Sequence, residues 1–240
     1  MSTWLNTALY GWYPYVALTV FLVGSVLRFD HSQYTWRSGS SQLLRGRQMI
    51  WGSNLFHVGI LVIFVGHLVG LLTPLALLEA LGISHTVKQL LAMIVGGVAG
   101  VACWIGLAML AHRRLLDARI RATSSFADIF VLLLLWLQLT LGLATIPFSA
   151  QHLDGTEMVR FMGWAQGILT LHPGAAALLV GTSPIFRVHL FFGLTVFLVF
   201  PFTRLVHIWS VPIWYVGRPG YQVVRSRQRA VHKPAAGAGD

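Results

Sequence analysis

Four histidines stand inside apolar stretches of this chain, His57 and His67 in the first half, His189 and His207 near the end. Val58 to Leu72 surrounds the first pair with hydrocarbon-compatible residues, and Val188 to Phe202 separates the second. An imidazole in lipid costs free energy unless something binds it, so a histidine at membrane depth marks a functional site by default. Two pairs on two segments is the stoichiometry of two haem irons, each held by two imidazoles. The rival reading is a set of hydrogen-bonded helix contacts or proton-relay groups. A bare transition-metal centre fits less well, because each depth offers two ligands and no carboxylate. Asp128, at one end of the fourth apolar stretch, is nearly the only acid near the spans. That scarcity also argues against an ion-coupled transporter, which needs an intramembrane carboxylate.

Such ligands must be carried by rigid elements, and the composition says which. Of the 240 residues 56% are hydrophobic and 10% charged, well below the quarter or so charged in a soluble domain. A bilayer span needs about 20 mostly apolar residues. Five stretches qualify, at 5–28, 52–74, 88–112, 126–148 and 185–210. The expected fold is all-α, a polytopic bundle of five transmembrane helices. The first stretch is not read as a cleaved signal, having no positive region before it and no small-residue cleavage site after it.

The formal net charge of +10 is topology and not a nucleic-acid footprint. Arg28, Arg37, Arg45 and Arg47 follow the first span, Arg113, Arg114, Arg119 and Arg121 the third, and Arg204, Arg218, Arg225, Arg227, Arg229 and Lys233 the fifth. Only Lys88, Arg160 and Arg187 fall on the other side. The positive-inside rule then places the N-terminus outside and the C-terminus in the cytoplasm, with some attraction of the basic loops for anionic lipid headgroups. Residues 1–224 are expected to form the membrane domain and 225–240 a basic, flexible cytoplasmic tail.

Topology pairs the ligands. The second span runs outward, the fifth inward, so His57 matches His207 near the inner face and His67 matches His189 near the outer. On a continuous helix the eighteen residues from His189 to His207, at about 100° each, return to one face, and the ten from His57 to His67 end about 80° apart. The rises of about 15 Å and 27 Å differ, so the two helices must cross or the macrocycles tilt.

The single cysteine, Cys103, excludes an intramolecular disulfide, a cysteine-held iron–sulfur cluster and two-cysteine haem attachment within the chain. It reads as a small buried apolar residue. Gly66 and Gly70, like Gly96 and Gly100, are four apart, which suits close helix packing or the approach of a flat macrocycle. The stretch from Pro147 to Pro184 is the longest connection, and Glu157 to Leu169 within it is expected to form an amphipathic helix on the outer surface. His31, His112, His232, His85, His152 and His172 read as polar loop residues.

Longer strings make the chain recognisable: Gln33-Tyr-Thr-Trp-Arg37, Ser53-Asn-Leu-Phe-His57, Phe64-Val-Gly-His67, Val87-Lys-Gln89, Arg121-Ala-Thr123, Thr145-Ile-Pro-Phe-Ser-Ala-Gln-His152 and Leu205-Val-His-Ile-Trp-Ser-Val-Pro212. Over about Tyr13 to Val224 the chain resembles the membrane cytochrome b (gamma) subunit of respiratory nitrate reductases. Asp30-His31-Ser32, the segment from Leu75 to Ser84 and the tail after Val231 depart from the pattern. The resemblance implies two haem b groups, His57 with His207 on the inner and His67 with His189 on the outer. It implies oxidation of quinol near the outer haem with proton release outside. Electrons would pass to a cytoplasmic iron–sulfur (beta) subunit and a molybdenum catalytic (alpha) subunit that reduces nitrate, at the bacterial inner membrane.

By position, Arg113 and Arg204 are candidate propionate partners for the inner haem and Arg187 for the outer, against the alternative of interfacial snorkelling. Lys88 opens the third span near the depth of His67. A lysine there could hydrogen-bond a quinone carbonyl, and Gly66 beside His67 would admit the quinone ring. The second ring nitrogen of each ligand histidine should donate to a carbonyl or water. A dihaem cytochrome serving another reductase, and a haem-free anchor or transporter, are the competing functions.

Overall fold

The computed structural model describes residues 3–36 and 44–210. Arg37, the tail from residue 211 with its basic residues and His232, and the expected boundary at 224/225 lie outside the described residues. Among the described residues all regular structure is helical. We label α1 Thr3–His31, α2 Gly46–Leu72, α3 Leu75–Ala80, α4 His85–Leu116, α5 Ala118–Ala122, α6 Phe126–Ser149, α7 Thr156–Leu169 and α8 Pro184–Val199. α1, α2, α4, α6 and the run Pro184–Phe202 are long and apolar enough to cross a bilayer, matching the five expected stretches.

Local chemistry sets the helix ends. Ser84 caps α4 by accepting from the Val87 amide at 3.2 Å. Ser125 and Asp128 form a reciprocal capping box at the start of α6, each satisfying an otherwise orphaned amide. α2 stops at Thr73, whose ψ of 122° and that of the following Pro74, 140°, turn the chain out of the helix.

α2 packs on α4, α4 on α6, α6 on α8, and α8 on α1. The two histidine-bearing helices, α2 and α8, are thus separated in the packing order and form no extensive packed pair among the described residues. The α2–α4 seam is closed by small residues: a Cβ on Gly59 would lie 2.6 Å from Cys103 Cβ, and one on Gly106 would lie 2.5 Å from the Phe56 amide nitrogen. Cys103 is fully buried there, as its apolar reading requires. The expected Gly66/Gly70 and Gly96/Gly100 pairs divide differently. A Cβ on Gly100 would strike Leu143, whereas at Gly66, Gly70 and Gly96 it would meet nothing within 4 Å.

Two expectations are corrected. First, His189 and His207 do not share one helix. α8 ends at Val199, a 3-10 turn Phe200–Phe202 follows, Thr203 is extended, and His207 lies in a further 3-10 segment, Arg204–Ser210. Pro201 has no N–H to continue the ladder, so the angular argument for a shared face fails although the pairing it supported is observed. Second, the amphipathic helix does form, as α7, but Met162, Trp164, Ala165 and Ile168 are buried. It is packed into the end of the bundle with Tyr10, Ala17, Ala176 and Leu179 and does not lie loosely upon it.

A π turn, Ala8–Trp12, interrupts α1, and the Tyr10 carbonyl there accepts from the Trp164 indole at 2.9 Å. Tyr10 donates its hydroxyl to the Arg187 carbonyl at 3.0 Å, and the Tyr13 and Thr195 hydroxyls pair at 2.8 Å. These bonds fix α8, and therefore His189, against α1.

Candidate redox site

The four histidines meet in the two pairs that topology predicts. Ring centroids are 6.4 Å apart for His57 and His207, with planes at 69°, and 6.1 Å apart for His67 and His189, with planes at 48°. Nδ1 is tied back in three of the four: His57 to the Ser53 carbonyl at 2.7 Å, His67 to the Ile63 carbonyl at 2.8 Å, and His207 to the Arg204 carbonyl at 2.6 Å. A ring that donates from Nδ1 leaves Nε2 as its free lone pair. Two such rings facing across about 6 Å leave roughly 4 Å between nitrogens, too long for a hydrogen bond of about 3 Å. The gap suits one atom bonded to both at about 2 Å each. The residues therefore fit a bis-imidazole iron at each depth, and a direct histidine–histidine hydrogen bond does not fit.

His189 is built differently. Its Nδ1 is buried with no hydrogen-bond partner, and the ring is set against the facing helix: a Cβ on Gly142 would lie 3.0 Å from its Cε1. Gly193, one turn on, gives similar close passage to Gln138, whose amide would be 3.0 Å from an added Cβ. Gln138 escaped the sequence reading, since a glutamine in an apolar run carries no signal until the opposing helix is known.

At the His67/His189 end, Lys88 Nζ donates to the Gly70 carbonyl at 2.9 Å and approaches Met162 Sδ at 3.3 Å. It thereby joins α2, α4 and α7 one turn beyond His67. Gln89, beside it, donates to the Ser149 carbonyl, the Ser149 hydroxyl and the His152 carbonyl, each at 2.9 Å, fixing α4 to the end of α6. Gly66 sits on an exposed part of α2. Arg187 is partly buried, its Nε enclosed without a hydrogen-bond partner, which suits a donor held for an anionic group.

At the other end, Arg204 lies 3.5 Å from Asp128, which also lies 3.5 Å from Arg114. Arg113 is 2% exposed and donates to the Leu44 carbonyl at 2.6 Å. Its guanidinium thus serves the loop before α2, a role that its place at a span end did not suggest. Among the described residues no group of three or more His, Cys, Asp or Glu side chains converges.

Residues 6–227 match the family model of the nitrate reductase gamma subunit. The chain belongs to that family. It is 55% identical over 223 residues to the respiratory nitrate reductase 1 gamma chain of Escherichia coli (strain K12), covering 93% of this chain and 98% of that one. It is 38% identical over 220 residues to the nitrate reductase gamma chain of Bacillus subtilis (strain 168), covering 91% and 97%. As a member of the gamma-subunit family it is a multi-pass membrane subunit of an oxidoreductase complex, and the resemblance read from the motif strings holds over nearly the whole chain.

Proposed function

We propose that this gamma-family chain is the dihaem, quinol-oxidising cytochrome b subunit of a respiratory nitrate reductase in a bacterial inner membrane. The observation that carries the reading is the matched spacing of the two histidine pairs, 6.4 and 6.1 Å between centroids at two depths. His57 and His207 hold one b haem, His67 and His189 the other, with Arg187 near the second and Arg204 near the first as propionate partners. When bound, these haems supply one-electron redox centres that lead from one membrane face toward the other.

The surrounding residues do the rest. Backbone carbonyls at Ser53, Ile63 and Arg204 take the Nδ1 protons of three imidazoles, leave Nε2 free to ligate and fix the ring planes. Lys88, at the His67/His189 end, offers its ammonium to a quinol oxygen, and Gly66 leaves the ring room beside His67. The distribution of arginines puts that end outside, so the two protons of quinol leave there while its two electrons go inward. A cytoplasmic iron–sulfur subunit receives them and passes them to a molybdenum subunit that reduces nitrate to nitrite.

Purified with its partners, the complex should give two non-covalent b haems per chain by pyridine haemochrome, reduced by a quinol analogue and reoxidised by nitrate. Haems that nitrate leaves reduced would assign the chain to another reductase. Absence of haem would overturn the cytochrome reading.

A further inference from the structure

One face of α1 is built around the break that places His207. Phe21, Gly24 and Arg28 fall at i, i+3 and i+7, one stripe of a helix. Phe21 packs edge-on against Phe200 with centroids 4.8 Å apart, and also meets Phe197 and Trp209 at 5.3 and 5.4 Å. At Gly24 a Cβ would lie 2.9 Å from Pro201 Cγ, so only a hydrogen there admits the proline ring without displacement. Arg28 completes the stripe. Its Nη1 donates to the Pro201 carbonyl at 2.6 Å and the Thr203 carbonyl at 2.8 Å. Its Nη2 donates to the Thr35 carbonyl at 2.9 Å.

Those carbonyls need a donor. Pro201 and the extended Thr203 interrupt the helical ladder, and a backbone carbonyl left without a partner beside the apolar span is costly. The four residues from Thr203 to Val206 are then fixed locally: Leu205 N–H donates to Thr203 Oγ1 at 3.3 Å, and Leu205 and Val206 are buried. His207 follows at once, its Nδ1 on the Arg204 carbonyl. A segment of 3-10 turns has little rigidity of its own, so the position of the His207 ring depends on what grips the break.

We infer that Arg28 is a positioning residue for His207, clamping the break after α8 so that the imidazole stands opposite His57, while the His67/His189 pair is set independently by contacts at the other end. The inference rests on the proposed haem ligation. Arginine suits the task and lysine does not, because a planar fork can serve several carbonyls at once and an ammonium on a flexible stem cannot hold them in one geometry.

The test uses the complex with its partners, as wild type, Arg28→Lys and Gly24→Ala, with His67→Ala as a single-haem reference for identifying signals. Haem content, redox-optical titration and low-temperature EPR report each haem. Hydrogen exchange over residues 200–207 reports the break without reference to haem. The expected result in both variants is at least a twofold loss, or a displaced g-value and midpoint, for the His57/His207 haem alone, with several-fold faster exchange at 203–207. Unchanged haem signals and exchange in Arg28→Lys would overturn the inference, and so would equal loss of both haems. A wild-type complex lacking haem would strike at the ligation reading instead, and the exchange result would then decide the clamp by itself.

Discussion

His67 and His189 stand 6.1 Å apart between ring centroids, although one is fixed by a carbonyl of its own helix and the other is not. His57 and His207, both anchored at Nδ1, reach nearly the same spacing. The pairs therefore share a separation and differ in the support behind it. A hydrogen bond to the second nitrogen raises an imidazole's basicity and, with it, the electron density that it gives an iron. On the proposed ligation, the two haems would differ in the support behind their imidazoles.

Removing one ligand should remove one haem. His67→Ala is expected to give a complex with about half the haem of wild type, its remaining signal being that of the His57/His207 centre. Quantitative haemochrome and EPR check this, and retention of both haems would break the ligand assignment.

Lys88→Ala should leave both haems in place, since the lysine touches Gly70 and Met162 and neither histidine pair. Quinol-dependent reduction of haem should fall by an order of magnitude or more, while dithionite still reduces both. Stopped-flow absorbance separates the two, and a wild-type rate with quinol would remove Lys88 from the quinol site.

Two glycines on α2 should respond in opposite ways to the same change. Gly59→Val would drive a side chain into Cys103 and the Ala99 carbonyl, where overpacking costs about 1–3 kcal/mol or more, so the melting temperature and both haems should drop. Gly66→Val meets no protein atom within 4 Å of its Cβ. It should fold with an ordinary melting temperature and lose quinol oxidation. Thermal unfolding and quinol kinetics on the pair decide between packing and access at each position.

Asp154 gives a pH dependence outside the spans. The Thr156 hydroxyl at 2.7 Å, then the Thr156 amide at 3.2 Å, hold its carboxyl below the ordinary carboxylate value, with His152 adding to the effect. A carboxyl depressed in the folded state stabilises above its unfolded value of about 4 and loses that contribution as pH falls through the lower folded value. The melting-temperature difference between wild type and Asp154→Ala should thus be present at about pH 5 and shrink below about pH 4. A difference that grows as pH falls below about 4 would contradict the sign.

The sequence alone determined the five spans, the four intramembrane histidines, the pairs in which they meet and the family. Each rests on a one-dimensional property: apolar length against bilayer thickness, the cost of a polar ring in hydrocarbon, and strings such as Ile146-Pro-Phe-Ser-Ala-Gln-His152. Only the tertiary structure decided how the ligands are held. Span direction paired His207 with His57, whereas the shared face expected of one continuous helix is lost, because Pro201 breaks the fifth span and contacts from α1 grip the break. Arg28 is one of many arginines at span ends in the sequence, and Gly59 one of many glycines in the spans. What distinguishes them is a neighbour more than forty residues away, and no local pattern encodes which helix will be that neighbour.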